Sequence, residues 1–156
     1  MVILIFVGQK QQNTSIPEIW ETEEERKLSI VALKKKYIAF ARSRFIYDPP
    51  KKVVNNDTDW PIEISNRVVN EWWGKSRTRE RILAIRLLDV MLEGAQYVKT
   101  VEDNKNTPGI ENVSYFINSC KINGKPYEIN ITVKKMSDNN RRFVYYYAAT
   151  NSEKRQ

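Results

Sequence analysis

The dipeptide Asn123-Gly124 constrains the fold of this chain more than any other feature of its sequence. It joins two runs of β-prone residues, Val113–Ile122 and Tyr127–Met136. An Asn-Gly pair between such runs is typical of the tight turn of an antiparallel hairpin, because both residues tolerate a positive φ. The sequence therefore predicts a β-hairpin in the last third of the chain.

The second run of this hairpin also predicts which face of the sheet is covered. Apolar and polar residues alternate along it, with Ile129, Ile131 and Val133 on one face and Asn130, Thr132 and Lys134 on the other. Successive side chains of a strand point to opposite faces. We therefore expect one face of the sheet in the core and the other in solvent.

Other segments add strands and one loop to this hairpin. Phe143–Ala149 is β-rich and follows a turn at Asp138–Asn140, and Trp60–Ile64 predicts a short strand. The apolar run Met1–Val7 predicts a buried strand, a frayed start being the alternative. The polar stretch Lys51–Asp59 predicts a loop.

Two segments have helical periodicity. Thr14–Ile46 contains a capping box at Thr22–Glu25 ahead of an apolar run. Arg67–Tyr97 could break at Gly74, and its apolar stripe consists of Ile82, Ile85, Leu88, Leu92 and Ala95. A broad apolar band places this second helix in the core.

The order of these elements predicts an α+β domain, with N-terminal helices packed on one face of a C-terminal antiparallel sheet of about three to five strands. A length of 156 residues fits one domain. We expect the helix-plus-sheet domain at 51–150 and a polar tail at 151–156. The segment 1–50 is either part of the same domain or an accessory arm.

Histidine is absent from the chain, and Cys120 is its one cysteine. Ser-His-Asp and Cys-His catalysis, paired-histidine ribonuclease chemistry, histidine-ligated zinc and an internal disulfide are thereby excluded. There is also no P-loop and no GxGxxG motif, so we expect neither a cofactor nor a metal. Lysine and arginine number 26 against 19 acidic residues, and the net charge of +7 suits a polyanionic partner.

Membrane insertion is not expected, because no apolar run approaches the roughly 20 residues of a spanning helix. The single cysteine fits a reducing compartment, or a protein that needs no disulfide in any compartment. The sequence prediction is a cytoplasmic protein with no membrane partner.

Basic residues cluster where the second helix is expected to begin, and they are Lys75, Arg77, Arg79 and Arg81. Such a cluster at a helix entry suits contacts to phosphate. The neighbouring Trp73 could stack on a base if it is exposed. A solvated helix face, with the tryptophan packed in the core, explains the same residues without any ligand.

A second basic and aromatic cluster is expected on the solvated face and at the end of the sheet, and it contains Lys134, Arg141, Arg142 and Tyr145. Regular alternation would place Tyr145 and Tyr147 on one face and Tyr146 on the other. An open sheet face with these residue types suits RNA. Tyrosine is also a common strand residue, so packing alone explains much of the pattern.

The arrangement from Asn55 to Ala149 resembles a known family. It runs from NNDTDWPIEIS through WGKSRTRERILAIRLLDVMLEGAQYV and NVSYFINSCKINGKPYEINITVKKM to the closing strand RFVYYYA. This order is similar to that of phage- and mobile-element-associated domains grouped with the barnase–EndoU–colicin–RelE nuclease superfamily, which also occur inside large polyvalent phage proteins. The resemblance implies helices followed by a sheet, and an activity that cuts RNA.

Many members of that superfamily carry a histidine before a serine at the start of the second helix, where this chain has Lys75-Ser76. RelE-like ribonucleases work with lysine, arginine and tyrosine, which stabilise the transition state while the 2′-hydroxyl of the RNA attacks. The resemblance therefore implies catalytic roles for Lys75, Arg77, Lys134, Arg142 and Tyr145. We expect four further residues to contact the nucleic acid without a catalytic role, and they are Arg79, Arg81, Arg141 and Trp73.

The leading hypothesis is a domain that binds RNA in preference to DNA, and its stronger form is a metal-independent endoribonuclease. The alternative is a non-catalytic interaction or packaging module of a phage or mobile element, in which Trp72, Trp73 and the long N-terminal helix bind another protein. An inhibitor of a nucleic-acid enzyme is a third interpretation, although a DNA mimic should be acidic.

Overall fold

The structure is a computed structural model that describes residues 16–46, 51–67, 69–70, 78–103, 108–137 and 142–150, with the side chains of the last segment at 142–144. The strand predicted at Met1–Val7, the turn predicted at Asp138–Asn140 and the tail predicted at 151–156 lie outside the described residues.

Helices and strands alternate irregularly along the chain. The helices are α1 (Glu23–Arg26), α2 (Ile30–Phe45), α3 (Arg79–Leu83) and α4 (Leu88–Gly94), with a 3₁₀ segment at Ala84–Leu87. Residues 66–67 and 69–70 are also helical. The strands are β1 (Glu18–Ile19), β2 (Lys52–Val54), β3 (Pro61–Glu63), β4 (Gln96–Glu102), β5 (Ile110–Ile122), β6 (Lys125–Met136) and β7 (Phe143–Thr150).

The seven strands form one sheet in the order β1-β5-β6-β7-β3-β2, and β4 lies on the same edge of β5 as β1. The β1–β5 and β3–β7 pairs are parallel, and the other pairs are antiparallel. Helices together with one large sheet confirm the α+β class. The expectation of an antiparallel sheet with about three to five strands is wrong, because short strands from distant parts of the chain join both sides of the predicted meander.

The predicted hairpin is confirmed as β5 and β6, which pair from Ile122 opposite Lys125 to Ile110 opposite Met136. Asn123 and Gly124 have φ angles of 52° and 80°, as this turn requires. The turn also holds β1, because the Asn123 N–H donates to the Ile19 carbonyl at 2.9 Å. The side-chain oxygen of Asn123 accepts from the Glu21 N–H at 2.8 Å.

The helix predicted over Thr14–Ile46 is wrong in its first part, because β1 occupies residues 18–19 and α1 and α2 are separate. The predicted capping box is confirmed: the Glu25 N–H donates to Thr22 Oγ1 at 3.1 Å, and the Thr22 N–H donates to Glu25 Oε1 at 2.9 Å. Ser29 then caps a new helix by accepting from the Ala32 N–H at 3.1 Å.

The helix predicted over Arg67–Tyr97 is interrupted, because Thr78 has extended backbone and α3 begins after it. The possible break at Gly74 lies outside the described residues. The last helical part ends at Gly94, and Gln96–Glu102 forms β4 instead. Ala95 already has extended backbone, and the β-branched residues that follow pair with β5. The stretch predicted as a loop contains β2, which pairs with β3. In both places a strand partner from elsewhere in the chain decides the structure.

Helices and sheet share one hydrophobic core. The predicted stripe of the second helical region is confirmed as buried, with exposed fractions from 0% to 6% across Ile82, Ile85, Leu88, Leu92 and Ala95. Helix α2 buries a residue at every fourth position, namely Leu33, Tyr37, Ala41 and Phe45. The apolar positions of β6 are also buried, which confirms the predicted covered face of this strand.

Candidate nucleic-acid interface

Three neighbouring strands present a second face that points away from this core. On β5, Phe116, Cys120 and Ile122 are buried in the core, so the residues between them point to the opposite side. We call this side the open face and define it by the following residues of β4, β5 and β6: Lys99, Val101, Val113, Tyr115, Ile117, Ser119, Lys121, Glu128, Asn130, Thr132 and Lys134.

A row of side chains crosses the middle of the open face. Tyr115 on β5 is opposite Lys99 on β4 and opposite Thr132 on β6. Lys99 Nζ lies 5.9 Å from the centroid of the Tyr115 ring, which is within the range of a cation–π contact. Tyr115 is 37% exposed and Lys99 is exposed. A cation and an aromatic ring therefore lie side by side at the surface, and the half-buried Thr132 is next to them on β6.

Contacts on the other side of the sheet fix β4 in this register. The Tyr97 N–H donates to Asp57 Oδ2 at 2.8 Å. The hydroxyls of Tyr97, Thr100 and Ser114 form a chain with two separations of 2.7 Å. These bonds join β4 to β5 and to the turn before β3, so the alternate residue Lys99 is held toward the open face.

Lys134 occupies the next row and is half-buried, opposite Val113 on β5 and Val144 on β7. This position confirms that Lys134 shares a face with Thr132 and Asn130, as the alternation predicts. Lys134 is therefore two residues along β6 from Thr132, in the row next to the Lys99–Tyr115 pair.

Arg142 has a carboxylate partner within the protein. Its Nη1 lies 3.0 Å from Glu63 Oε2, and the side chain of Glu63 is only 5% exposed. A buried carboxylate without a counter-charge is costly, so Arg142 stabilises the β3 carboxylate where the strand meets β7. Its guanidinium would have to leave Glu63 to serve a substrate phosphate.

Tyr145 lies in β7 opposite Val133, whereas Lys134 is opposite Val144. The register shifts between Thr132 and Val133, because Tyr147 pairs with Thr132 and Tyr145 with Val133. An extra residue in β7 breaks the regular alternation that was predicted for Tyr145–Tyr147. The side chains of these tyrosines are outside the described part of the structure.

Arg79 is half-buried, and its guanidinium is bound by acceptors of its own chain. Its Nε donates to Glu21 Oε2 at 2.8 Å, and its Nη2 forms an ion pair with the same carboxylate. Nη1 donates to the Leu28 carbonyl at 2.8 Å and Nη2 to the Glu25 carbonyl at 2.6 Å. These contacts tie α3 to α1, so we leave Arg79 out of the interface.

The neighbouring carboxylate of Glu25 completes what we call the anchor cluster, formed by Glu21, Glu25, Lys36, Tyr37 and Arg79. Tyr37 Oη donates to Glu25 Oε2 at 2.7 Å, and Lys36 Nζ lies 2.9 Å from the same oxygen. Burial by itself raises the pKa of Glu25, but hydrogen bonds from the Thr22 N–H, Tyr37 and Lys36 outweigh it and lower that pKa to about 2. Burial and the Glu25 carboxylate raise the pKa of Tyr37 to about 12.

The remaining predicted site residues divide into two groups. Arg81 lies in α3, where its N–H donates to the capping Thr78 Oγ1 at 3.2 Å. Lys75, Arg77, Arg141 and Trp73 lie outside the described residues. Burial raises the pKa of Cys120 to about 11, so this thiol stays protonated and is not a nucleophile at neutral pH.

Sequence reasoning missed Lys99 and Tyr115, which the structure brings together. The β-branched residues Val98, Thr100 and Val101 favour a strand, but the sequence prediction ended a helix at Tyr97 and assigned no strand after it. If β4 had been recognised as a partner of β5, the alternation of side chains along both strands would have placed Lys99 and Tyr115 on one face.

The described residues contain neither a cluster that could hold a metal ion nor a helix that could cross a membrane. No group of three or more cysteine, aspartate or glutamate side chains there is arranged to hold a metal ion. No helix in the same residues has the length and apolar character needed to cross a membrane.

Comparison with known proteins adds one family. Neither the curated proteins nor the solved structures contain a significant match to the chain. The model of a family associated with phages and mobile elements, large polyvalent protein-associated domain 3, matches residues 29–146, which covers most of the chain from α2 into β7. The chain therefore belongs to the large polyvalent protein-associated domain 3 family.

Proposed function

We propose that this domain binds RNA through the open face. The observation that carries the proposal is the surface row of Lys99, Tyr115 and Thr132 across three adjacent strands. Proteins that recognise unpaired RNA bases commonly stack them on aromatic side chains of a sheet and hold the backbone with nearby cations. The row offers each of these groups within neighbouring strand positions.

The charges around the row support an anionic ligand. Lys99, Lys121 and Lys134 lie on the open face, and the whole chain has a net charge of +7. Glu63 at the far end is neutralised by Arg142. Glu128 lies on the open face and Glu18 borders it opposite Lys121, so the three lysines outnumber these carboxylates. A phosphate backbone would therefore be attracted to this face more than to an electroneutral surface.

The resemblance to the nuclease superfamily extends the proposal to cleavage of the bound RNA. In this reaction the 2′-oxygen attacks the adjacent phosphorus, its proton is removed, and the 5′-oxygen leaves with a proton. The products are a 2′,3′-cyclic phosphate and a 5′-hydroxyl, and lysine, arginine and tyrosine side chains would stabilise the charge on the phosphoryl oxygens. We propose Lys134, Lys75 and Arg77 for these roles. Tyr145 pairs with Val133 of the covered face and not with Lys134, so we leave it out of the proposed site. Arg142 would take part only by releasing Glu63.

Binding is tested by fluorescence anisotropy with a labelled oligonucleotide of mixed sequence at low salt. We expect Tyr115→Leu to weaken binding about tenfold, because base stacking is lost, and Tyr115→Phe to bind almost as the wild type does. Val31→Ala on the exposed side of α2 is the control. A folded wild-type protein that binds no RNA would refute the proposal.

Cleavage is tested separately by incubating the wild type with the same RNA in EDTA and resolving the products on a gel. A cyclic phosphate that forms in EDTA, and that Lys134→Gln reduces, would support the metal-independent reaction. Intact RNA with undiminished binding would restrict the function to binding.

A second candidate function rests on two exposed apolar residues at the start of α2. Ile30 is 42% exposed and Val31 is 60% exposed. Exposed aliphatic side chains on consecutive positions favour contact with a protein partner. This non-catalytic interaction module predicts that Val31→Glu abolishes a protein complex and leaves RNA affinity unchanged. The location of the protein in the cytoplasm stays a prediction under both functions.

A further inference from the structure

One exposed aromatic residue near the open face has no role in the proposal above. Trp20 follows β1 and is 54% exposed, although tryptophan is normally well covered. It lies before residue 29, where the family match begins. Its indole touches the hairpin turn, since a Cβ added to Gly124 would lie 3.0 Å from Trp20 Cη2.

The register of β1 shows on which side of the sheet Trp20 lies. Ile19 is buried in the core opposite Ile122, and Glu18 is exposed opposite Lys121 of the open face. The Trp20 Nε1–H donates to Glu18 Oε1 at 2.5 Å. The indole is therefore bonded to the side chain on the open side of β1, and it borders the open face at the hairpin end.

Trp20 and Tyr115 are thus two exposed aromatic residues along one face. Trp20 is bonded to Glu18, and Glu18 is opposite Lys121. Lys121 is six positions from Tyr115 on β5, which corresponds to about 20 Å along an extended strand. Lys99 is opposite Tyr115, and Lys121 lies on the strand next to β1, so each ring has a lysine in its neighbourhood. Each ring has a contact within the protein, Trp20 with Glu18 and Tyr115 with Lys99, and such contacts lower the side-chain freedom that is lost on binding.

We propose that the ligand of the open face is single-stranded RNA running along β5, with one base stacked on Trp20 and another on Tyr115. This inference rests on the proposed function and restricts its ligand from RNA in general to single-stranded RNA. The bases of an A-form duplex are stacked inside the helix and are not available to rings on a protein surface. Two separate stacking positions therefore select unpaired bases, several nucleotides apart, and the choice of base is free because every base has a π-face.

The test measures anisotropy of a labelled oligouridylate of about ten nucleotides, a length within the usual range for single-strand sites. Trp20→Leu keeps an apolar contact with Gly124 but removes the aromatic face. We expect it to weaken binding about tenfold with no change in the salt dependence. Trp20→Phe should bind within about threefold of the wild type. Val31→Ala is again the control, and circular dichroism reports whether each variant is folded.

Each outcome separates this inference from the proposed function. If Tyr115→Leu weakens binding but Trp20→Leu does not, the role of Trp20 is refuted and RNA binding by the open face stands. If an RNA duplex of equal length competes as well as the single strand, the preference for unpaired bases is refuted. If the folded wild type binds neither RNA, the proposed function fails and takes this inference with it.

Discussion

Arg79 and Lys99 show how two cations of one basic protein acquire opposite roles. Arg79 is surrounded by acceptors of its own chain: the Glu21 carboxylate and the carbonyls of Glu25 and Leu28. Lys99 lies on an exposed strand beside the ring of Tyr115. The first is held within the anchor cluster, and the second is presented to solvent.

The contrast between Arg79 and Lys99 shows that a high density of basic residues in a sequence does not locate a binding surface. Arginine is suited to both positions, because its planar fork matches a carboxylate and two carbonyls as well as a phosphate. The number of internal acceptors around the side chain decides between these roles. The anchor cluster supplies such acceptors, and the edge of the open face at Lys99 offers an aromatic ring.

The largest expected effect is on stability, from Arg79→Met. The substitution leaves the buried carboxylate of Glu21 without its counter-charge and two carbonyls without their donor. We expect the free energy of unfolding to fall by about 3 to 4 kcal/mol, measured by urea denaturation. Lys35→Met on the exposed side of α2 is the matched control and should change it by less than about 0.5 kcal/mol. Equal effects of the two substitutions would remove the contrast between anchored and solvated cations.

A slightly smaller effect is expected from the pH dependence of Glu25. Its pKa is about 2 in the folded protein against an ordinary value of 4.5, so the unfolded chain takes up the proton first as the pH falls. The stabilisation is complete above pH 4.5 and is lost as the pH drops toward 2. Its size is up to about 3 kcal/mol, from the size of the shift.

Glu25→Gln tests this linkage by urea denaturation at a series of pH values. The variant should be less stable than the wild type at neutral pH, and the difference should shrink as the pH falls below 4.5. Glu24→Gln, an exposed neighbour in α1, should follow the wild type throughout. A difference that stays constant with pH would show that the anchor cluster does not depend on the charge of Glu25.

The parts of the fold that sequence could predict are those with local causes. Asn123-Gly124 sets the turn through its own backbone preferences, and the alternation of β6 sets which of its residues are buried. The capping box at Thr22–Glu25 likewise depends on four consecutive residues. Each of these predictions needed no knowledge of a distant partner.

The parts that failed depend on partners far away in the chain. Strand β1 forms because Glu18 pairs with Lys121 of β5. Strand β2 forms because Lys52 pairs with Glu63 of β3. Two- and three-residue strands carry too little pattern to be found without those partners. The candidate site follows the same rule: Lys134 was predictable from its own strand, whereas the acceptors of Arg79 lie more than fifty residues earlier.

The smallest expected effect concerns the salt dependence of RNA binding. Lys99→Gln and Lys134→Gln each remove one charge from the open face while keeping a side chain of similar length. For single-stranded nucleic acid, each lost phosphate contact should lower the slope of log affinity against log salt by about 0.7. The double variant should therefore lower it by about 1.4, measured by anisotropy at several salt concentrations.

Lys35→Gln on α2 is the control that makes this slope decisive, because it changes the net charge of the protein without touching the open face. A response to overall charge would be the same for Lys35 as for Lys99. A contact with a phosphate would be specific to Lys99 and Lys134, because screening weakens the effect of more distant charges. If Lys35→Gln lowers the slope as much as Lys99→Gln does, the helical side binds RNA as well, and the contrast between the two regions is lost.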